Sequence, residues 1–242
     1  MTSKSHNDEV HRKQKILKNP IKFKLQLNEE QKRAKEEILN STLTLLAGSA
    51  GSGKTLLACQ IALDGLFRNQ YDKVIITRPT VSKEEICFLP GDLREKMDPW
   101  VQPIYQNMFL LYDKVKVEKF IEDGKIEIVP VSFMRGRTFV SSCIIVDEAQ
   151  NVTHEQMEMI VTRIGTRSKM IICGDDHQVD LKNKRDSGFR FLYKASSKIK
   201  NLSGITLLTN HRDSIVEDLI EYYEDLKSRS KSPSTPKPKG NK

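Results

Sequence analysis

The sequence predicts an α/β fold in which a mostly parallel sheet is covered by helices on both faces. Three observations predict it. Short, almost wholly apolar runs recur along the chain: LTLLA (43–47), KVIITRP (73–79), SCIIVDEAQ (142–150) and KMIICGDD (169–176). A strand apolar on both sides must be buried on both sides, as in parallel sheets. Helical patterns separate these runs, which is what parallel crossovers need. Gly48, Asp147 and Asp175, and Arg212 after a further run, ITLLTNHR (205–212), fall at the ends of such runs, and sheets of this kind keep their ligands at the carboxyl ends of the strands.

Each element has a local reason. Asn28 can cap a helix through EEQKRAKEEIL, with Gln31 at capping-box spacing. LTLLA is a strand, the glycine-rich stretch after it is a loop, and a helix runs from about Lys54 to Phe67. KVIITRP is a strand stopped by proline. PWVQPIYQNMFLLY (99–112) is expected to be a helix with proline near its start, followed by a second helical or mixed stretch to Ile121. DGKIEIVP is a turn and an alternating strand. THEQMEMIVTRIG (153–165) is an amphipathic helix, ITLLTNHR (205–212) a further strand, and SIVEDLIEYYEDL (214–226) a closing amphipathic helix. The expected body is a single domain over residues 20–226. It lies between a flexible basic segment (1–19) and a disordered Ser/Pro/Lys tail (227–242) too polar to bury a core.

Composition narrows the function classes. The chain has 242 residues and a formal net charge of +8. Residues 1–18 carry five Lys/Arg against two Asp/Glu, and residues 226–242 carry six Lys/Arg and no acid, so the body is close to neutral. That is not a uniformly cationic nucleic-acid binder; the basic ends either raise affinity for a polyanion or keep the chain soluble. Cys59, Cys87, Cys143 and Cys173 form no CxxC pair, so buried thiols are expected rather than a zinc site or a disulfide framework. No apolar run is long enough to span a membrane and the first twenty residues are polar. The expectation is a soluble, cytoplasmic protein.

The chemistry is concentrated in GSAGSGKT, Gly48 to Thr55. It matches GxxxxGK[ST], the phosphate loop. Gly48, Gly51 and Gly53 let backbone N–H groups turn inward with Ser49, Ala50 and Ser52 between them, and the following helix N-terminus attracts phosphate oxygens. Lys54 can reach the β/γ-phosphates of ATP and Thr55 can ligate Mg²⁺. A second apolar strand ends in Asp147-Glu148. Asp147 suits the outer shell of the magnesium, and Glu148 sits where it could deprotonate an attacking water. That pair argues for hydrolysis over a kinase-like or GTP-switch design. Further along, Gln178 in CGDDHQ could sense the γ-phosphate, while Asp175 would hold the loop. Arg212 in LLTNHRD could stabilise charge on the transferring phosphoryl, in cis or in trans. Gln31 either pairs with the adenine edge or caps its helix. Arg78, Arg135 and Arg137 are candidate contacts to nucleic-acid phosphates, with Lys83, Lys96 and Trp100 beside them.

These pieces in this order resemble the PhoH-like family of P-loop ATPases, itself similar to the first motor domain of superfamily-one helicases. The resemblance covers about residues 24–226. It rests on LNEEQ, GSAGSGKT, ITRP, EEICFLPGDLREKMDPW, DGKIEIVPVSFMRGRTF, IIVDEAQN and TRIGTRSKMIICGDDHQVDL. FLPGDLREKM with FMRGRT is more diagnostic than the phosphate loop. The sequence departs from the family at Cys87, where glycine is common, and at His211-Arg212, an order closer to the helicases' asparagine-aromatic-arginine pattern. The resemblance implies a RecA-like sheet and a magnesium-dependent ATPase. It implies Gln31 for adenine, Lys54 and Thr55 for phosphate and magnesium, Asp147 and Glu148 for magnesium and water, Gln178 for the γ-phosphate, and Arg212 as the finger. It also implies a partner, single-stranded RNA or DNA. A helicase pairs two motor domains and this length accommodates one. The chain is therefore expected either to assemble as a homo-oligomer, with a hexameric ring as one form, or to act as a regulatory ATPase without strand separation.

Overall fold

The computed structural model describes residues 23–79 and 93–213, together with Ile215, Val216, Asp218, Leu219, Tyr222, Tyr223 and Leu226. Six strands form one sheet: β1 (Leu43–Gly48), β2 (Lys73–Thr77), β3 (Ile126–Ile128), β4 (Ser142–Val146), β5 (Lys169–Gly174) and β6 (Leu202–Leu207). Their order is β3-β2-β4-β5-β1-β6, and each neighbouring pair is parallel. All six carboxyl ends therefore lie along one edge. The helices are α1 (Glu29–Asn40), α2 (Lys54–Phe67), α3 (Leu93–Leu111), α4 (Lys114–Glu122), α5 (His154–Val161) and α6 (Gly188–Ala195).

Alternation along the strands sorts the core into two layers. Leu46, Val74, Ile76, Ile145 and Ile171 face the side covered by α1 to α4. Leu45, Ile75, Ile144, Val146 and Ile172 face the side covered by α5 and α6. Successive strand residues point to opposite faces, so a strand covered twice needs the unbroken apolar run seen in the sequence. α2 lies against the sheet, and from Leu57 to Leu63 every residue is buried, which is why its pattern is apolar all round.

Boundaries differ from expectation where proline or glycine misleads. The helix expected from Pro99 begins at Leu93 and carries both Pro99 and Pro103 inside it, each removing one backbone donor. The strand expected from Ile205 begins at Leu202, because Ser203 and Gly204 pair with Thr44 and Leu45 of β1 and so extend it despite poor strand propensity. α5 stops at Val161, short of Gly165. α6 has no counterpart in the sequence reading; Phe189 near its start is fully buried against the glycine that ends β5. The described residues between 215 and 226 are helical. The segment 1–19, Lys83, Cys87, the side chains of Lys96 and Trp100, and the tail 227–242 lie outside the described residues. Among the described residues no helix is long and apolar enough to cross a membrane.

Two local devices tie α1 down. Its N-terminus has the full capping box: Asn28 accepts from the Gln31 N–H at 2.7 Å, and the Gln31 side-chain oxygen accepts from the Asn28 N–H at 3.2 Å. At its other end no basic residue occupies the last turn. Lys169, the first residue of β5, supplies the cation instead. Its ammonium donates to the carbonyls of Ile38, Leu39 and Ser41, where the helix presents its last carbonyl oxygens and the negative end of its dipole. Burial pushes the Lys169 amine below its ordinary pKa.

Lys169→Met should strip partners from buried carbonyls and cost about 2 kcal/mol, lowering the urea midpoint by about 1 M; an unchanged midpoint would show that the lysine is not a structural cap. Cys59, Cys143 and Cys173 are buried, and burial raises all three thiols, Cys143 to about 12. Iodoacetamide should leave these three unmodified in the folded protein and alkylate them only after denaturation, which mass spectrometry would resolve residue by residue.

Candidate nucleotide site

The loop from Gly48 to Thr55 joins β1 to α2 at the carboxyl edge of the sheet. Its path needs glycine at Gly51 and Gly53 among other points. Gly51 has φ +90°, and an added Cβ would lie 2.5 Å from the Asn210 side-chain oxygen and 2.7 Å from Cγ of Arg212. Gly53, at φ +85°, would bring a Cβ within 2.5 Å of the Gln31 amide nitrogen. Both positions are left-handed and closely approached, so a side chain is excluded twice over. Ser52 is buried, and both its N–H and its hydroxyl donate to the Ser49 carbonyl, which fixes the turn. Gly53 is the N-cap of α2 and provides no side-chain cap, so the first-turn N–H groups face outward from the helix end.

Side chains from five segments meet over this loop around a cavity of about 480 Å³. Lys54 donates to the carbonyls of Gly48 and Ser49, both at 2.8 Å. The Thr55 hydroxyl donates to Asp147 Oδ1 at 2.8 Å. Asp147 follows β4, its N–H donates to the Thr77 carbonyl of β2, and its side chain is almost fully buried. Burial pushes its carboxyl above the ordinary range, against the downward pull of the Thr55 hydrogen bond.

Glu148 has φ +51° and ψ +37°, left-handed for a residue with a full side chain. Such backbone strain costs on the order of 1 kcal/mol. It begins the single turn Ala149–Asn151 and turns the chain sharply at the end of β4. One Glu148 oxygen accepts from Gln150 Nε2 at 2.6 Å, and the other lies 3.5 Å from the Arg78 guanidinium at the end of neighbouring β2.

Gln178 and Asp175 come from the loop after β5 and border the same cavity. Asp175 Oδ1 accepts from the His177 N–H at 2.9 Å, so it shapes its own loop. Arg212 borders the cavity of its own chain, brought there after β6. The His211 N–H donates to the Gly51 carbonyl, and its ring nitrogen meets the Asn28 amide at 3.0 Å. Glu30 accepts from the N–H groups of Leu208 (2.6 Å) and Thr209 (3.1 Å). The Leu208 hydrogen bond is the main cause holding the Glu30 carboxyl below its usual range. α1 therefore fastens the segment that carries Arg212.

Gln31 borders the cavity beside Gly53 while its oxygen is engaged in the capping box, so its two sequence readings coexist. Gly48, Ser49 and Ser52 shape the loop without bordering the cavity. Away from the cavity, Arg135 is exposed after β3. Arg137 pairs with Glu127 at 2.8 Å and lies over the Phe139 ring, which leaves it less available to a ligand than its place in FMRGRT suggests. Sequence reasoning missed Gln150, Asn28 and Glu30 as site-building residues. Besides the local bond from Gln150 to Glu148, the partners through which they join the site lie 25 to 183 positions away, and no local pattern encodes that. Among the described residues no group of three or more His, Cys, Asp or Glu side chains could hold a metal by itself.

Comparison with known proteins finds relatives over most of this chain. A PhoH-like protein from Synechocystis sp. is 41% identical over 202 residues, which is 81% of this chain and 60% of that protein. A PhoH-like protein from Bacillus subtilis is 42% identical over 183 residues, covering 73% of this chain and 56% of its own length. Protein PhoH of Escherichia coli K12 is 39% identical over 157 residues, covering 64% and 44%. The chain thus spans 60% or less of these curated relatives. Among solved structures, a Pif1 helicase from Candida albicans aligns over 84% of this chain and 44% of its own at 18% identity and a TM-score of 0.44, a likeness too loose to carry a conclusion. The family model described as PhoH-like protein matches residues 25–224, nearly the whole folded body, and the chain belongs to the PhoH-like protein family.

Proposed function

We propose that the chain is a magnesium-dependent ATP hydrolase whose turnover is coupled to single-stranded nucleic acid. The observation that carries the first half is the meeting of Lys54, Thr55, Asp147 and Glu148 around one cavity, with the Thr55 hydroxyl on the Asp147 carboxylate. The donor set fits magnesium: a hydroxyl and a buried carboxylate oxygen 2.8 Å apart, with phosphate oxygens and water left to complete the shell. Thr55 and Asp147 would hold the ion, which would supply neutralisation of charge on the β- and γ-phosphates.

The chain's own groups account for the remaining chemistry. The loop N–H groups and the start of α2 bind phosphate oxygens. Lys54 is held by two carbonyls of the loop, close to where the phosphates would lie, and it exchanges these partners for β/γ oxygens. Glu148 takes a proton from a water whose oxygen bonds to the γ-phosphorus. The bond from that phosphorus to the bridging oxygen breaks, leaving ADP and phosphate. Gln178 senses the γ-phosphate and Arg212, bordering its own chain's cavity, stabilises the transferring group in cis. Gln31 reads the adenine edge.

Coupling to nucleic acid is supported by Arg78, which stands at the carboxyl end of β2 and also reaches Glu148, and by exposed Arg135 after neighbouring β3. A strand of phosphates lying over these ends would touch the group that holds the base. The finer reading is an oligomeric RNA or DNA helicase, a hexameric ring being one form. A nucleotide-dependent change of assembly with no response to nucleic acid would favour a regulatory ATPase instead.

Lys54→Ala should weaken Mg-ATP binding at least tenfold, and Glu148→Gln should lower kcat by about 100-fold or more while binding is kept, both measurable by phosphate release and a fluorescent ATP analogue. Wild-type rates from Glu148→Gln would remove the hydrolytic reading. Single-stranded RNA or DNA should raise kcat several-fold. Arg135→Ala should raise the nucleic-acid concentration needed for half of that effect and flatten its salt dependence by about one phosphate contact. A flat response to every ligand would end the coupling proposal.

A further inference from the structure

The general base of this site has a holder of its own. Gln150 is 1% exposed and uses both ends of its amide. Its Oε1 accepts from the Asp175 N–H at 3.0 Å, and its Nε2 donates to Glu148 Oε2 at 2.6 Å. The amide orientation is not arbitrary. A backbone N–H can only donate and an ionised carboxylate can only accept, so the oxygen must face Asp175 and the nitrogen Glu148. The turn Ala149–Asn151 aims this side chain back from β4 toward the end of adjacent β5. The next residue repeats the device. Asn151 Oδ1 accepts from the Asp180 N–H at 2.8 Å, and its Nδ2 donates to Asp180 Oδ2 at 3.2 Å. The loop from Asp175 to Asp180, with Gln178 inside it, is thus pinned at both ends by the two residues Gln150 and Asn151.

We infer that Gln150 is a positioning residue that orients the Glu148 carboxylate and ties it to the loop bearing Gln178. The inference rests on the reading of Glu148 as the base. The Glu148 side chain is 38% exposed and has several rotatable bonds. Free, it would spread over its rotamers. Arg78 faces its other oxygen at 3.5 Å, a long contact that adds to the hold from that side. A short charge-assisted bond from a buried amide fixes it. Because the other end of that amide holds the start of the loop, base and γ-phosphate sensor move together.

Two substitutions separate this role from simple packing. Gln150→Met keeps the length and removes both hydrogen bonds. Gln150→Glu keeps an acceptor for the Asp175 N–H but faces Glu148 with a second carboxylate. Both should lower kcat at saturating ATP at least tenfold, with the dissociation constant for a fluorescent ATP analogue in magnesium within threefold of wild type. In single turnover, adding Gln150→Met to Glu148→Gln should cost less than a further twofold, since the base it orients is already gone. Wild-type kcat in Gln150→Glu would reduce the residue to a loop anchor. Parallel loss of affinity and kcat, a multiplicative loss in the double variant, or failure of both single variants to fold by circular dichroism would make it structural. Absence of hydrolysis in the wild type would instead overturn the reading of the site itself.

Discussion

One hydrogen bond, from the Thr55 hydroxyl to the Asp147 carboxylate, joins parts of the chain that the sheet keeps apart. β1 and β4 are not neighbours; β5 runs between them. The loop after β1 and the acid after β4 therefore meet above the end of β5. That end is Gly174, where a Cβ would press on the Phe189 ring at 2.9 Å. Its N-terminal neighbour Cys173 and its successor Asp175 both border the cavity. The parallel sheet puts all the carboxyl ends on one edge, and this bond closes the edge over the central strand.

Holding Asp147 there is costly. A carboxylate taken out of water shifts its proton equilibrium upward unless donors or cations compensate, and burial is the largest influence on Asp147. Thr55 supplies one donor. The buried thiols Cys59 and Cys173 add no further negative charge, because burial keeps them protonated. Under the proposed function a divalent cation would complete this carboxylate, beside the Thr55 hydroxyl.

The rim is assembled with more redundancy than the centre. α1 and its cap reach the segment after β6 two ways, Glu30 to two N–H groups and Asn28 to His211, while Gln31 lies against Gly53 of the glycine loop. The segment in turn packs against Gly51, whose missing side chain leaves room for Arg212. On the far side, Gln150 and Asn151 hold the loop after β5. Each of these contacts is polar and small, so the rim can yield locally without disturbing the two apolar layers beneath it.

The sequence by itself determined the fold class and most of the residues that gather at the centre. Unbroken apolar runs such as SCIIV admit only a sheet covered on both faces, and GSAGSGKT encodes its own turn through the left-handed positions at Gly51 and Gly53. These are local properties, written in consecutive residues. Strand edges were legible less well: Ser203 and Gly204 enter β6 only because β1 offers them partners, and α6 exists because Phe189 finds a fully buried place. Only the tertiary structure decided that Arg137 is engaged by Glu127, that Arg78 stands by Glu148, that Lys169 closes α1 and that Gln150 spans two strand ends. Those partners are distant in the chain, and a side chain's role is set by what the folded backbone brings within about 3 Å of it, a distance that one-dimensional order does not contain.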